Sequence, residues 1–249
     1  MKFPKSVTVF LVATVMLIAT PARAVPVLQL DIYGGTYDTS TETVMASSNS
    51  FSLYAYGLST GSNAISLTDS FFLSMALVPM TSLAGNYGSF TINGITVNVT
   101  GDMTYGNPPL ETILGGAEHD GGDLGPHSIF PTYFAEQMFT FSAGNQSGVY
   151  NTQDDAGLGP QAGTGMYYKK FDFDISGLAA GYGLHFDLYN EKIKSSGDID
   201  INKFAPFSHD AGAMVMTPIP EPETYAMLIA GLGLLGFVAR RRRLSGAAA

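Results

Sequence analysis

Between Val25 and Thr217 apolar residues recur at every second position far more often than at every third or fourth. That is the spacing of strands with one buried face, not of amphipathic helices. Val27, Leu28, Leu30 and Ile32 open an apolar stretch, and Phe51, Leu53 and Ala55 alternate with Ser52, Tyr54 and Tyr56. The run from Ser70 to Val78 predicts a buried strand. Ser89 to Thr100 predicts a hairpin: Phe90 and Ile92 precede Asn93-Gly94, and Ile95, Val97 and Val99 follow it. Asn-Gly suits a type I′ turn because both central residues need positive φ. Further strands are expected at 137–142, 167–175, 184–189, 199–202 and 213–216. Tyr167, Lys169, Phe171, Phe173 and Ile175 share one face there, and Lys170, Asp172 and Asp174 the other. Leu184, Phe186 and Leu188 point inward in this reading, with His185, Asp187 and Tyr189 outward. Short strands and 29 glycines predict an all-β, single-domain β-sandwich, jelly-roll-like in arrangement, over residues 25–217.

The two ends follow a different pattern. Lys2 and Lys5 precede an almost wholly apolar run from Val7 to Ala19, and Ala22-Arg23-Ala24 follows it. A positive start, a short apolar core and small residues at Ala22 and Ala24 predict a secretory signal peptide over 1–24. Signal peptidase would then cut after Ala24 and leave Val25 as the mature start. At the other end Pro218, Pro220 and Pro222 preclude a helix or strand interior. An apolar run from Tyr225 to Ala239 comes next and stops at Arg240, Arg241, Arg242 and Arg243. The run 225–239 is read as a transmembrane helix, although it is shorter than the roughly 20 residues that cross a bilayer comfortably. Its arginine block is a stop-transfer signal that holds the end on the cytoplasmic side.

Pro220-Glu221-Pro222, a short glycine-bearing apolar helix and a terminal arginine cluster, in that order, resemble the PEP-CTERM sorting domain. The resemblance covers 218–249. It implies recognition and cutting of the tail by an exosortase, a membrane-embedded cysteine transpeptidase, after transient residence in the inner membrane. Proteins of that kind occur in Gram-negative bacteria that make extracellular polysaccharide, and many belong to biofilm or floc matrix. Exopolysaccharide is therefore an expected partner. The stretches LQLDIYGGTYD, SFSLYAYGL, FFLSMALVP, YGNPPLE, HDGGDLGPHSIFPTYF and GTGMYYKKFDFDISGL resemble the N-type group of the choice-of-anchor proteins. That likeness implies one domain from Val25 to Thr217 with an interchangeable anchor, and it implies no activity.

Charge separates the body from its ends. Seven of the 12 basic residues lie in the signal and the arginine block, leaving five lysines between Val25 and Thr217. Nineteen of the 21 acidic residues lie in the same span, for a net charge of −14. The body has no arginine, which argues against nucleic acid as a partner. The chain also has no cysteine, so thiolate metal sites and thiol chemistry are ruled out within it.

Candidate chemistry concentrates in two acidic, glycine-bearing stretches. Residues 119–127 hold His119, Asp120, Asp123 and His127, and residues 151–160 hold Asp154 and Asp155. Asp120, Asp123, Asp154 and Asp155 suit calcium, which takes several oxygen ligands from a permissive loop. His119 and His127 with an aspartate suit zinc. Solvated turns account for the same residues, and neither stretch matches an EF-hand or an H-E-x-x-H helix. No cofactor is required on this reading. No nucleophile elbow occurs, since Gly144-Asn145-Gln146-Ser147-Gly148 has its serine one place late. The expectation is a non-enzymatic, exported protein with a structural or adhesive role in a matrix. The alternative is a carbohydrate-binding module with calcium-supported loops, in which Tyr33, Tyr37, Tyr54, Tyr56 and Tyr133 stack on sugar rings.

Overall fold

The structure is a computed structural model, and it describes residues 25–110, 124, 128–195, 199–216 and 226–236. Among these, fourteen strands follow one another. They are β1 (Leu28–Ile32), β2 (Thr36–Asp38), β3 (Thr43–Met45), β4 (Ser50–Leu58), β5 (Phe71–Val78), β6 (Ser89–Ile92) and β7 (Ile95–Asn98). Next come β8 (Thr104–Gly106), β9 (Thr132–Phe139), β10 (Gln146–Gly148), β11 (Gly165–Asp174), β12 (Gly183–Ile193), β13 (Ile199–Phe204) and β14 (Asp210–Met214). A 3₁₀ turn, Phe207–His209, leads into β14.

The strands form two sheets. One has the order β1-β4-β11-β6-β7, with β10 also on β11; the other has β2-β3-β14-β12-β5-β9-β8, with β13 also on β12. β14 runs parallel to β3. One buried cluster draws on both sheets: Leu28, Leu30, Ile32, Leu53, Phe171 and Phe173 come from the first, and Leu73, Met75, Leu77, Leu184, Phe186 and Leu188 from the second. The period-two pattern produces this directly, because alternate side chains leave opposite faces of a strand. Phe173 stands between the sheets, with its ring centroid 4.9 Å from that of Phe186 and 5.5 Å from that of Phe51.

The hairpin forms as its turn residues dictate. β6 pairs with β7 around Asn93 (φ 51°) and Gly94 (φ 79°), and Ile92 lies opposite Ile95. The β11 faces also agree with the expectation: Phe171 and Phe173 are buried, and Lys170 and Asp172 are exposed. Elsewhere the strands differ from the sequence reading. β9 starts at Thr132, five residues before its expected position, because Ala76 on β5 pairs with Phe134. β14 starts at Asp210 because it pairs with both Thr43 on β3 and the outer half of β12. The three-residue strands β2, β3, β8 and β10 carry too little apolar alternation to be seen without their partners.

Helix 226–236 is the helix among the described residues, and all of its positions are exposed. Among the described residues no helix is long and apolar enough to cross a membrane, which corrects the expectation of a transmembrane helix over 225–239: its described part is too short. At 1.5 Å per residue, the helical part described rises about 16 Å, against the roughly 30 Å of a bilayer core.

Candidate functional site

The face of each sheet that points away from the core carries buried polar residues, and these define two candidate regions. The first lies on β1. Gln29 and Asp31 point away from the core, yet both are fully buried, because the segment from Tyr150 to Gly159 lies across them. Gln29 donates to the Tyr150 carbonyl (2.8 Å) and accepts from the Thr152 amide (3.1 Å). Asp31 accepts from the Gly157 amide (2.7 Å), the Gly159 amide (3.0 Å) and the Tyr150 hydroxyl (2.9 Å). Gly157 has φ +84°, and a Cβ there would sit 2.4 Å from the Gly35 carbonyl oxygen, so only glycine fits this close approach. Burial pushes the Asp31 carboxyl above its usual range, opposed by the bonds from Gly157, Gly159 and Tyr150. Tyr56, Tyr150 and Met166 form a small apolar cluster beside it.

This arrangement settles where one predicted loop points. Asp154 and Asp155 are exposed, on a turn closed by hydrogen bonds from both of their amides to the Asn151 carbonyl (3.1 and 3.0 Å). Asn151 is itself tied down: its Oδ1 meets His209 Nε2 at 2.8 Å, and His209 Nδ1 meets the Ser208 hydroxyl at 2.9 Å. Asp120, Asp123, His119 and His127 lie outside the described residues, as do Ala22, Ala24, Pro220, Glu221, Pro222 and Arg240 to Arg243.

The second region lies on β12 and β14. His185, Asp187 and Tyr189 leave the face away from the core, as the alternation predicts, but all three are buried: their exposures are 6%, 2% and 0%. Asp210 on β14 is 1% exposed. His185 Nε2 stands 3.4 Å from Asp187 Oδ1 and 3.6 Å from Asp210 Oδ2. Burial pushes the imidazole pKa down, but the two carboxylates outweigh it and carry it up to about 10. Ser74 on β5 lies opposite Asp187 in the ladder and is fully buried, and its hydroxyl has no hydrogen-bond partner among the described residues. Farther along the same face the Tyr189 hydroxyl donates to Glu136, which also accepts from the Leu110 amide at 2.9 Å. His185 borders a cleft of about 470 Å³ whose rim includes Thr43, Met45, Phe207 and Met214.

The alternation places His185 and Asp187 on the outward face, and it carries no information on what covers that face. Their signal was the H-x-D alternation on a strand whose neighbours are all apolar. Asp210 gave no such signal, since its pairing with the β12 region is long-range.

The tyrosines considered for sugar stacking divide. Tyr56 is fully buried, and Tyr37 and Tyr133 pack against the main core. Tyr33 is 64% exposed, and Tyr54 lies 5.9 Å, ring to ring, from Tyr168. Near these rings Lys170 Nζ meets Asp172 at 2.7 Å, and the Ser52 hydroxyl donates to Asp172 at 2.7 Å.

Comparison with known families bears on the tail. Residues 218–243 match the PEP-CTERM protein-sorting motif. The match contains Pro220-Glu221-Pro222, the apolar helix and the four arginines, and it implies export, exosortase processing and sorting to the cell surface. No curated protein matches the chain, and no solved structure does.

Proposed function

We propose that this protein is an exported, non-enzymatic component of a cell-surface or extracellular matrix, built as a two-sheet β domain delivered by its sorting tail. The observation that carries this reading is the sorting-motif match over 218–243, joined to a β body of net charge −14. The exposed apolar side chains of helix 226–236, among them Met227, Ile229, Leu232 and Leu235, bury nothing against the body. That suits a segment whose solvent is lipid before the exosortase removes it. Residues 1–24 serve as the signal peptide on this reading, with signal peptidase cutting after Ala24. The acidic body disfavours nucleic acid and suits a hydrated polysaccharide environment, in which biofilm exopolysaccharide is the partner. The N-type choice-of-anchor resemblance supports treating the body as one domain with a replaceable anchor.

The decisive experiment is the intact mass of the protein recovered separately from the outer envelope and from the medium. The expected product begins at Val25 and ends between Pro220 and Glu223. A product that retains Tyr225 to Ala249 makes the protein a tethered domain and removes the exosortase from its biogenesis.

One observation favours carbohydrate binding as a second reading. Tyr33, Tyr54 and Tyr168 lie near the Ser52–Asp172–Lys170 group on one outer face, so rings for stacking stand beside donors and acceptors for hydroxyls. Retention of the protein on immobilised exopolysaccharide, lost in Tyr33→Ala, is the expected result. Equal migration with and without the glycan rejects this reading and leaves the matrix role unaffected.

A further inference from the structure

Three features lie outside the matrix role: the aromatic face at Tyr33, the Glu136–Tyr189 pair, and the buried group formed by His185, Asp187 and Asp210. The first belongs to the carbohydrate reading, and the second is a satisfied hydrogen-bond network. The third has ligand chemistry, spacing and access together.

We propose that His185, Asp187 and Asp210 bind one divalent transition-metal ion of the zinc class, on the side of the β12 sheet facing away from the sandwich core. Each residue offers one ligand atom, and the three atoms lie within 4.8 Å of one another. The spacing identifies the kind of contact. A charge-assisted N–H···O bond brings its heavy atoms to about 2.7–2.9 Å. His185 Nε2 instead stands 3.4 and 3.6 Å from its two oxygens. Zinc takes imidazole nitrogen and carboxylate oxygen at about 2.0–2.2 Å in tetrahedral geometry, which puts neighbouring ligand atoms about 3.4 Å apart. The two separations from Nε2 match that tetrahedral edge, and the third lies within 4.8 Å.

The surroundings agree. A single nitrogen faces two carboxylates, so one proton cannot be directed along both lines, whereas a cation between Nε2 and the two carboxylate oxygens meets all three ligands at once. Ser74 supplies the independent observation: a fully buried hydroxyl, unpartnered among the described residues, facing Asp187 across the ladder. It shares the outer face with Asp187 without bonding to it, which leaves it to donate to a water on the metal. Gly212 lies opposite His185 in the ladder, and the Met45 and Thr43 side chains pack over it. Of the three ligands, His185 borders the cleft of about 470 Å³, the side from which an ion and a fourth, exchangeable ligand would enter. Calcium does not fit, because it takes six to eight oxygens at about 2.3–2.6 Å and no imidazole. This site is separate from the calcium-type loop expected at Asp154 and Asp155.

The test uses the full-length chain, stripped with chelator and titrated with Co²⁺. Four-coordinate cobalt has visible d–d bands that an octahedral surface ion lacks in intensity. The expected result is a set of such bands saturating at one equivalent, displaced by Zn²⁺ and not by Ca²⁺. Zinc affinity should fall by at least about 100-fold in Asp187→Asn and in His185→Ala, with circular dichroism confirming that each variant keeps its β content. The wild-type titration stands alone if a variant fails to fold. Absence of tetrahedral bands, displacement by Ca²⁺ as readily as by Zn²⁺, or bands retained in both folded variants would each overturn the proposal.

Discussion

Asp31 on β1 and Asp187 on β12 hold equivalent positions in their sheets: each is an aspartate on the outer face of a strand, and each is almost completely buried. What surrounds them differs. Asp31 meets two backbone amides and a tyrosine hydroxyl at 2.7–3.0 Å, which is ordinary hydrogen-bond geometry. Its task is to pin the segment Tyr150–Gly159 to the first sheet. Asp187 meets an imidazole shared with Asp210, at separations longer than a hydrogen bond. A buried carboxylate satisfied by neutral donors is architecture. Two carboxylates gathered around one histidine concentrate charge, and concentrated buried charge asks for a cation.

The largest effect should come from the second region. In metal-free protein, His185→Ala removes the imidazolium from between Asp187 and Asp210 and should cost about 3–5 kcal/mol of stability, read by urea melts. A loss no larger than that of a surface variant would show that the group is not charged as described, and the contrast with Asp31 would collapse.

Asp31→Asn comes next. The amide keeps one oxygen and turns an NH₂ toward donors, so a cost of about 2–3 kcal/mol is expected. The pH dependence sharpens the comparison. Asp31 has its carboxyl pKa raised in the folded protein above 3.8, so the folded state binds more protons than the unfolded one over that window. Its contribution is therefore full below 3.8 and is lost as pH rises through the folded pKa. The stability gap between wild type and Asp31→Asn should narrow as pH rises across this range. Asp172 and Asp174 behave with the opposite sign. Hydrogen bonds from Lys170 and Ser52 to Asp172, and from Ser176 to Asp174, hold both below 3.8. Their contributions are present above 3.8 and fade on acidification. A gap that widens with pH would show that Asp31 stays ionised throughout.

The smallest effect should come from the exposed pair. Lys170 and Asp172 are 46% and 59% exposed, and Lys170→Ala should change stability by no more than about 0.5 kcal/mol, and less in high salt. A larger loss would mean that the outer face of the first sheet is covered by a partner, which would favour the glycan reading.

How much of this was legible beforehand follows from which interactions are local. The Asn93-Gly94 hairpin was readable because the turn's backbone requirement falls on two adjacent residues, and both have the positive φ it demands. The long strands β4, β5, β11 and β12 were readable because each carries enough alternation on its own. β3 was not, since its three residues become a strand only when β14 and β2 flank them. The candidate metal group shows the same limit. His185 and Asp187 were assigned to the correct face, but burial of that face depends on segments distant in the chain, and Asp210 joins them only through the β12–β14 pairing.

By itself, then, the amino-acid sequence determined the β class and the sorting motif at 218–243. These rest on period, composition and contiguous residues, which need no partner to be recognised. Tertiary structure alone decided which strands neighbour one another and which polar residues lose contact with water. It also decided that a histidine and two aspartates converge within 4.8 Å. Such convergence is set by which strands come to lie side by side, and strand order leaves no imprint in the local alternation of apolar and polar residues.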